Sequence, residues 1–135
     1  MKVLTIKEPF ATLIYKKVKF IETRSWKTSY RGELYIHASL STNKNVKEEL
    51  KKYYKEDELH NGYIICKCKL VDCIYMTEDF INNLKKNNYI EYLCGHYEAG
   101  RYAWVLEDIE KITPIKAKGK LSIWNYSGWF YDKRK

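Results

Sequence analysis

The sequence predicts an α+β protein in which a small mixed or antiparallel sheet curls into a β-barrel with inserted helices. Five to seven segments with strand character alternate with short amphipathic segments along only 135 residues, and strands this short and closely spaced favour a small barrel over βαβ units. No repeat, low-complexity segment or linker divides the chain. We therefore expect residues 1–135 to form one domain.

The chain starts with a predicted strand and a predicted helix. Within residues 2–6, Val3 and Thr5 are β-branched and lie two positions apart, which is typical of one face of a strand. Pro9 then suits the first turn of a helix, because the N–H it lacks has no partner there. The apolar stripe of this helix consists of Phe10, Leu13 and Ile14.

Two short strands and a second helix are expected next. Residues 21–26 and 33–37 have strand character on either side of a turn at 30–32, and we expect them to pair with each other. A capping box formed by Asn45 and Glu48 predicts a helix that ends before Asn61-Gly62.

The second half of the chain is predicted to supply the longest strand. Residues 63–76 are rich in β-branched and aromatic residues, and Thr77 is placed to cap a third helix. Residues 101–106 and 109–115 are predicted to be two further strands.

Charge is concentrated in two short segments. The formal net charge is +8, of which residues 16–31 carry +5 and residues 111–120 carry +4, so that the remaining residues sum to −1. A concentrated positive surface is typical of a protein that attracts phosphate groups, which favours a nucleic-acid partner. The start of the chain has no secretory signal and no apolar run is long enough to cross a bilayer, so we expect a cytoplasmic protein without membrane contact.

The four cysteines could form a metal site or be buried free thiols. Cys66 and Cys68 share one face of a predicted strand, and Cys94 lies beside His96. Structural zinc sites usually take each ligand pair from a tight turn with two to four intervening residues, which this spacing lacks. We predict free buried thiols, no metal and no cofactor.

The residues with the clearest chemical pattern lie at 19–26. In a strand, Glu22, Arg24 and Trp26 share one face, and Lys19 precedes them close enough to reach it. A carboxylate between two cations can orient both, and an arginine can pair with phosphate or stack on a base. The same pattern also fits an ordinary surface ion-pair network.

This pattern belongs to a longer resemblance to the ASCH domain family, named after the activating signal cointegrator. The similarity runs in order through residues 4–11, 19–26, 30–38, 62–65, 71–73, 102–106, 118–120 and 123–124. The family signature Gly-x-Lys-x-x-Glu-x-Arg is matched by Lys19, Glu22 and Arg24, while Lys17 stands in the place of the glycine. The usual Gln-Pro-Trp start is Glu8-Pro9-Phe10 here.

The resemblance implies a PUA-like β-barrel that binds nucleic acid, single-stranded RNA or a modified base, in a basic cleft around the motif. Stacking platforms of the kind that single strands require are offered by aromatic side chains, although Trp104, within a strand, is expected in the core. The predicted binding residues are Lys19, Glu22, Arg24, Trp26, Tyr30, Arg31, Lys116, Lys118, Lys120 and Trp124.

An enzymatic alternative also follows from the resemblance. Some small ASCH proteins deacylate an acetylated cytidine with the motif lysine and a threonine where this chain has Glu22, and ribonuclease activity has been attributed to others. Lys19 and Glu22 would then be the catalytic residues, with His37 or His96 as an acid or base in RNA cleavage. A carboxylate beside the lysine makes it a poorer nucleophile, which favours the binding module.

Overall fold

In a computed structural model that describes residues 1–128, one mixed sheet of six strands forms the centre of the protein. The strands are β1 (Lys2–Glu8), β2 (Ile21–Arg24), β3 (Gly32–Thr42), β4 (Tyr63–Tyr75), β5 (Tyr102–Lys116) and β6 (Ile123–Asn125), in the order β2-β5-β4-β3-β1-β6. Only β1 and β3 are parallel among these neighbours. The predicted α+β class is confirmed.

Within residues 1–128, three short α-helices accompany the sheet. They are α1 (Phe10–Tyr15), α2 (Glu78–Asn87) and α3 (Tyr89–Leu93). The predicted cap of α2 is confirmed, because the Thr77 side chain accepts a hydrogen bond from Phe80 N at 3.1 Å. None of the helices within residues 1–128 has the length and apolar character that crossing a membrane would take.

The predicted helix from Asn45 is wrong, because that segment forms 3₁₀ helices at Glu48–Tyr53 and Glu56–Glu58. Asn45 does not cap a helix there. Its backbone N–H instead donates to Asn43 Oδ1 at 2.8 Å, which turns the chain locally.

The predicted pairing of residues 21–26 with 33–37 is also wrong. β2 pairs antiparallel with β5, and β3 pairs with β4 and β1. The chain between β2 and β3 does not fold back as a hairpin but passes Trp104, whose Nε1 donates to Trp26 O at 3.2 Å. This bond ties the connection to β5.

The two strands expected over 101–115 are one long strand, β5. The residues between the two expected strands form a bulge within β5. Asp108 there has a φ of 54°, and the register with β4 shifts between Lys67 and Lys69. Aspartate tolerates this left-handed backbone better than most residues, so the strand continues past it.

Barrel closure is not confirmed, because the sheet keeps two free edges, β2 and β6, within residues 1–128. The sheet nevertheless curls. Arg24 on the edge strand β2 donates from Nη2 to Thr5 O of β1 at 3.0 Å, although three strands lie between them in the sheet order.

Two apolar clusters meet at α1. Ala11 and Ile14 of this helix pack in the main cluster on the sheet with Leu4, Ile36 and others, among them Trp104. Leu13 belongs to a second cluster with Leu50, Tyr54 and Cys94. The helix is therefore buried on two sides, and the turn that follows it lies next to both clusters.

Candidate functional site

The turn at the end of α1 directs the motif lysine into the protein. Val18 N donates to Leu13 O and Lys17 N to Ile14 O, both at 2.9 Å, which is the hydrogen-bond pattern of a Schellman motif. Lys17 holds the left-handed position of that motif with a φ of 62°. This tight turn is followed by Lys19, two residues after Lys17, whose side chain is directed into the protein.

Lys19 is buried, with 1% of its surface exposed. Its Nζ donates to Cys94 O at 2.9 Å and to Ile21 O, and it lies 3.7 Å from Glu22 Oε1. An ammonium group has three donors, of which two are bonded to these carbonyls, while Glu22 lies at ion-pair distance. Lys19 thus joins the loop after α3 to the start of β2.

The strand alternation predicted for the motif is present, and it brings Glu22 and Arg24 together. Glu22 Oε2 accepts from Arg24 Nε at 3.1 Å and lies 3.0 Å from Arg24 Nη2. The guanidinium also lies 5.4 Å from the ring centroid of Trp26 and 5.9 Å from that of Trp104. Of these two rings, Trp104 is fully buried as expected, whereas Trp26 is 44% exposed.

A buried carboxylate that the motif does not contain completes the site. Glu91 on α3 is 2% exposed and accepts from Phe20 N at 2.6 Å and from Ile21 N at 3.3 Å. Burial raises the pKa of Glu91, while Lys19 and the two backbone N–H groups act in the opposite direction. In the sequence Glu91 looks like one more charge on a helix surface, so no local pattern identifies it.

The loop after α3 packs closely against β2. His96 N donates to Thr23 Oγ1 at 3.1 Å, and a Cβ atom on Gly95 would lie 2.8 Å from Thr23 Cγ2. Glycine is required by this approach, because atoms of a side chain essentially never come so close. His96 itself is exposed and contacts Glu98 through Nε2 at 2.8 Å.

These elements border a cleft of about 880 Å³. Motif residues Glu22, Arg24 and Trp26 line one part of it, and the loop 93–96 lines another. The remaining lining includes Phe10 and polar side chains near the end of β3. The cationic side chains in the lining are Lys7, Arg24, Lys47, Arg101 and Lys120, and Glu22 is the carboxylate among them.

Other predicted binding residues lie apart from this cleft lining. Tyr30 donates from its hydroxyl to Glu33 O at 2.5 Å, and Arg31 donates to Thr28 O at 2.9 Å and to Tyr30 O at 2.8 Å. Lys116 and Lys118 are exposed, but they are not among the lining residues. Lys7, Lys47 and Arg101, which line the cleft, lie outside the two charged segments and were missed.

Trp124 and His37 form an internal chain of hydrogen bonds. Trp124 is 7% exposed and donates from Nε1 to Thr5 Oγ1 at 2.9 Å. That hydroxyl is 3.2 Å from His37 Nδ1, and His37 Nε2 is 2.6 Å from Ala117 O. The chain anchors the segment that leads to Lys120, and Lys120 reaches the cleft with its ammonium 5.9 Å from the Trp124 ring.

The cysteines are free thiols. Cys66, Cys68 and Cys94 are buried, and burial raises the pKa of Cys68 to about 12 and that of Cys94 to about 11. Burial raises the pKa of Cys66 as well. Cys73 is partly exposed. Within residues 1–128 no group of three or more metal-ligating side chains comes together.

The curled mixed sheet with its motif-bearing edge strand defines a small α+β protein of a recognisable class. The sequence profile of the ASCH domain matches residues 4–116, so the chain belongs to the ASCH domain family. Among curated proteins no sequence matches it significantly.

Solved structures agree with the fold. The chain is similar to the ASCH protein from Zymomonas mobilis, with a TM-score of 0.60 and 15% identity over 98% of this chain and 92% of that one. A mutant form of that protein matches with a TM-score of 0.58 and 16% identity, over 98% and 94% of the two chains. At this identity the likeness concerns the fold.

Proposed function

We propose that this ASCH domain binds single-stranded nucleic acid, RNA or a strand with a modified base, in the cleft beside β2. The observation that supports the proposal most directly is the composition of the cleft lining. Cationic side chains from five separate parts of the chain line the cleft, with Glu22 as the carboxylate among the lining residues. A positively charged groove that follows a phosphate backbone is what binding to a single strand requires.

The aromatic side chain at the cleft supports a single strand over a duplex. Trp26 lines the cleft and is 44% exposed, which is a large fraction for tryptophan. Its ring is supported from within by Trp104, an edge-to-face pair with centroids 6.3 Å apart. A tryptophan ring that is held in place and partly exposed can stack on an unpaired base, whereas the bases of a duplex are stacked on each other.

In this proposal the motif lysine is a positioning residue. Lys19 donates to two backbone carbonyls and contacts Glu22, so it holds β2 against the loop after α3 rather than reaching into the cleft. A nucleophilic amine would have to present a lone pair to a substrate. Lys19 is buried, hydrogen-bonded to two carbonyls and outside the cleft lining, which supports the binding module over the hydrolase that the resemblance also suggests.

The wider fold proposal is a single PUA-like domain. The hydrogen bond from Arg24 to Thr5 O spans the two sides of the curled sheet and supports a barrel-like shape. The same bond holds β2 over β1, and β2 thereby forms one wall of the cleft. The cytoplasmic location stays a prediction.

The experiment is a salt titration of binding to a fluorescent single-stranded RNA. If four to five phosphates are neutralised, log K should fall with log salt at a slope of about −3. Exchanging Lys47 and Lys120 for glutamine should reduce the steepness of this slope by about 1.4. The matched control exchanges Lys116 and Lys118, which lie outside the cleft lining, and should change the slope less.

Two outcomes would contradict the proposal. A slope indistinguishable from zero would mean that phosphates are not bound. A larger effect from Lys116 and Lys118 than from Lys47 and Lys120 would place the ligand on another surface.

A further inference from the structure

The two carboxylate oxygens of Glu22 have different partners. Oε2 accepts a hydrogen bond from Arg24 Nε at 3.1 Å and lies 3.0 Å from Arg24 Nη2. Oε1 has Lys19 Nζ at 3.7 Å, which is too long for a hydrogen bond, and among residues 1–128 no donor bonds to it. Since the side chain is 12% exposed and lines the cleft, Oε1 is a charged acceptor available to a ligand.

A negatively charged oxygen restricts the ligand group that can lie against it. A phosphate would be repelled by the like charge, and a carbonyl or ring acceptor would leave Oε1 without a donor. The matching group is a neutral donor, either a sugar hydroxyl or a base N–H. Both occur in nucleic acids, so the neighbouring side chain has to decide between them.

Arg24 is that neighbour, and it offers the opposite charge. Nε and Nη2 are engaged by Glu22 and Thr5 O, whereas Nη1 has no hydrogen-bond partner among the described residues. The ion pair thus presents a cationic donor next to an anionic acceptor. Its complement is a phosphate next to a hydroxyl, and this combination recurs at every RNA nucleotide, where the 2′-OH lies beside the carbon that bears the 3′-phosphate. A base N–H is not bonded so close to a phosphate.

We infer that Glu22 is a sugar-reading residue, whose Oε1 accepts a hydrogen bond from a ribose 2′-OH while Arg24 holds the adjacent phosphate. The inference rests on the proposed function and adds to it the discrimination of RNA from DNA. A 2′-OH is the group that distinguishes the two at a given site. The remaining cations of the cleft, such as Lys47 and Lys120, contact phosphates of either polymer.

The test compares single strands of one sequence as RNA, as DNA and as RNA with 2′-fluoro in place of 2′-OH. A 2′-fluoro group retains an RNA-like sugar shape but has no proton to donate. The wild type should bind RNA about tenfold more tightly than DNA, as expected for a hydrogen bond to a charged acceptor, and the 2′-fluoro strand should bind like DNA. Salt slopes should be the same for all three strands, because the phosphate contacts are shared.

The protein variant is Glu22→Gln, with Glu33→Gln on an exposed part of β3 as the matched control. Glu22→Gln removes the charge but keeps the size, so the ratio of RNA to DNA affinity should fall to about threefold or less, while Glu33→Gln keeps the tenfold ratio. A ratio is insensitive to a loss of folded protein, which lowers binding of both strands equally.

The outcomes separate the inference from the proposed function. Equal, salt-dependent affinity of the wild type for RNA and DNA would overturn the inference and leave the proposed function intact. Binding of the 2′-fluoro strand as tightly as RNA would overturn it as well. Absence of binding to every strand would overturn the proposed function itself.

Discussion

Lys17 occupies a backbone position that suits glycine. It lies at the left-handed position of the Schellman motif that ends α1, with a φ of 62°. For a residue with a Cβ atom this conformation costs roughly 1–2 kcal/mol relative to a right-handed one. The family signature has glycine at this position, and the left-handed backbone gives the physical reason. The turn places Lys19 whichever residue occupies position 17, but only glycine adopts the left-handed conformation without strain.

We expect Lys17→Gly to raise the free energy of unfolding by up to about 1 kcal/mol, since the relief of strain exceeds the added chain entropy. The control is Lys17→Ala, which removes the same exposed side chain but retains the Cβ atom and should change stability by less than about 0.5 kcal/mol. Urea denaturation measures both. A glycine variant less stable than the alanine variant would contradict the left-handed turn.

At the scale of elements, α3 supports β2 through the side chain of Glu91. Glu91 accepts from the N–H groups of Phe20 and Ile21, which begin the strand that bears Glu22 and Arg24. These N–H groups would otherwise lack a partner at the edge of the sheet. The contact explains why a short helix of five residues, Tyr89–Leu93, is held in place next to the motif.

The pH dependence of stability should show this contact. The folded-state pKa of Glu91 is raised above the ordinary value of 4.5, chiefly by burial. As the pH rises above 4.5, the unfolded chain therefore loses its proton before the folded protein does, so stability falls with rising pH until the folded-state pKa is passed. Glu91→Gln has no such proton, and the wild type should lose stability relative to this variant across that window.

Thermal denaturation of the two proteins at a series of pH values measures the difference. At low pH we expect the wild type to be more stable by about 1–2 kcal/mol, because the glutamine fits the two N–H groups less well. This advantage should shrink as the pH rises. An advantage that grows with pH would mean that Lys19 and the backbone donors outweigh burial.

β2 and α2 show which features can be predicted from the sequence and which cannot. The motif on β2 was predictable because alternation in a strand is local, and the cap of α2 at Thr77 was predictable for the same reason. The partner of β2 was not, since its pairing with β5 joins residues about 80 positions apart. Nor could local charge density identify Lys7, Lys47 and Arg101, which reach the cleft from separate parts of the chain.

At the scale of the whole molecule, the two apolar clusters are linked by more than chain connectivity. α1 contributes Ala11 and Ile14 to the cluster on the sheet and Leu13 to the cluster that contains Cys94. Lys19 adds a buried hydrogen bond from its Nζ to Cys94 O at 2.9 Å. If the second cluster opened alone, the packing of Leu13 and the hydrogen bond from Lys19 to Cys94 O would both be lost. The ammonium of Lys19 would then lack one of its acceptors. We therefore expect the two clusters to unfold together.

The buried thiols can measure this cooperativity, since Cys66 and Cys68 lie in the cluster on the sheet and Cys94 lies in the other. Each has a raised pKa and is at most 2% exposed, so a thiol should be alkylated only when its cluster opens. Cys73, which is partly exposed, should react first in the native protein and is exchanged for serine to leave the three buried thiols as probes.

Labelling of this Cys73→Ser protein by iodoacetamide at increasing urea, read out by mass spectrometry at each site, should give the three thiols the same free energy of opening, equal to that of global unfolding. Leu13→Ala provides the sharper comparison. It removes apolar contact in the second cluster and should cost about 2–5 kcal/mol. In a single cooperative unit that loss lowers the free energy of opening at Cys66 and Cys68 as much as at Cys94. Selective exposure of Cys94, in either protein, would show that the cleft wall formed by α3 and its loop opens independently of the sheet.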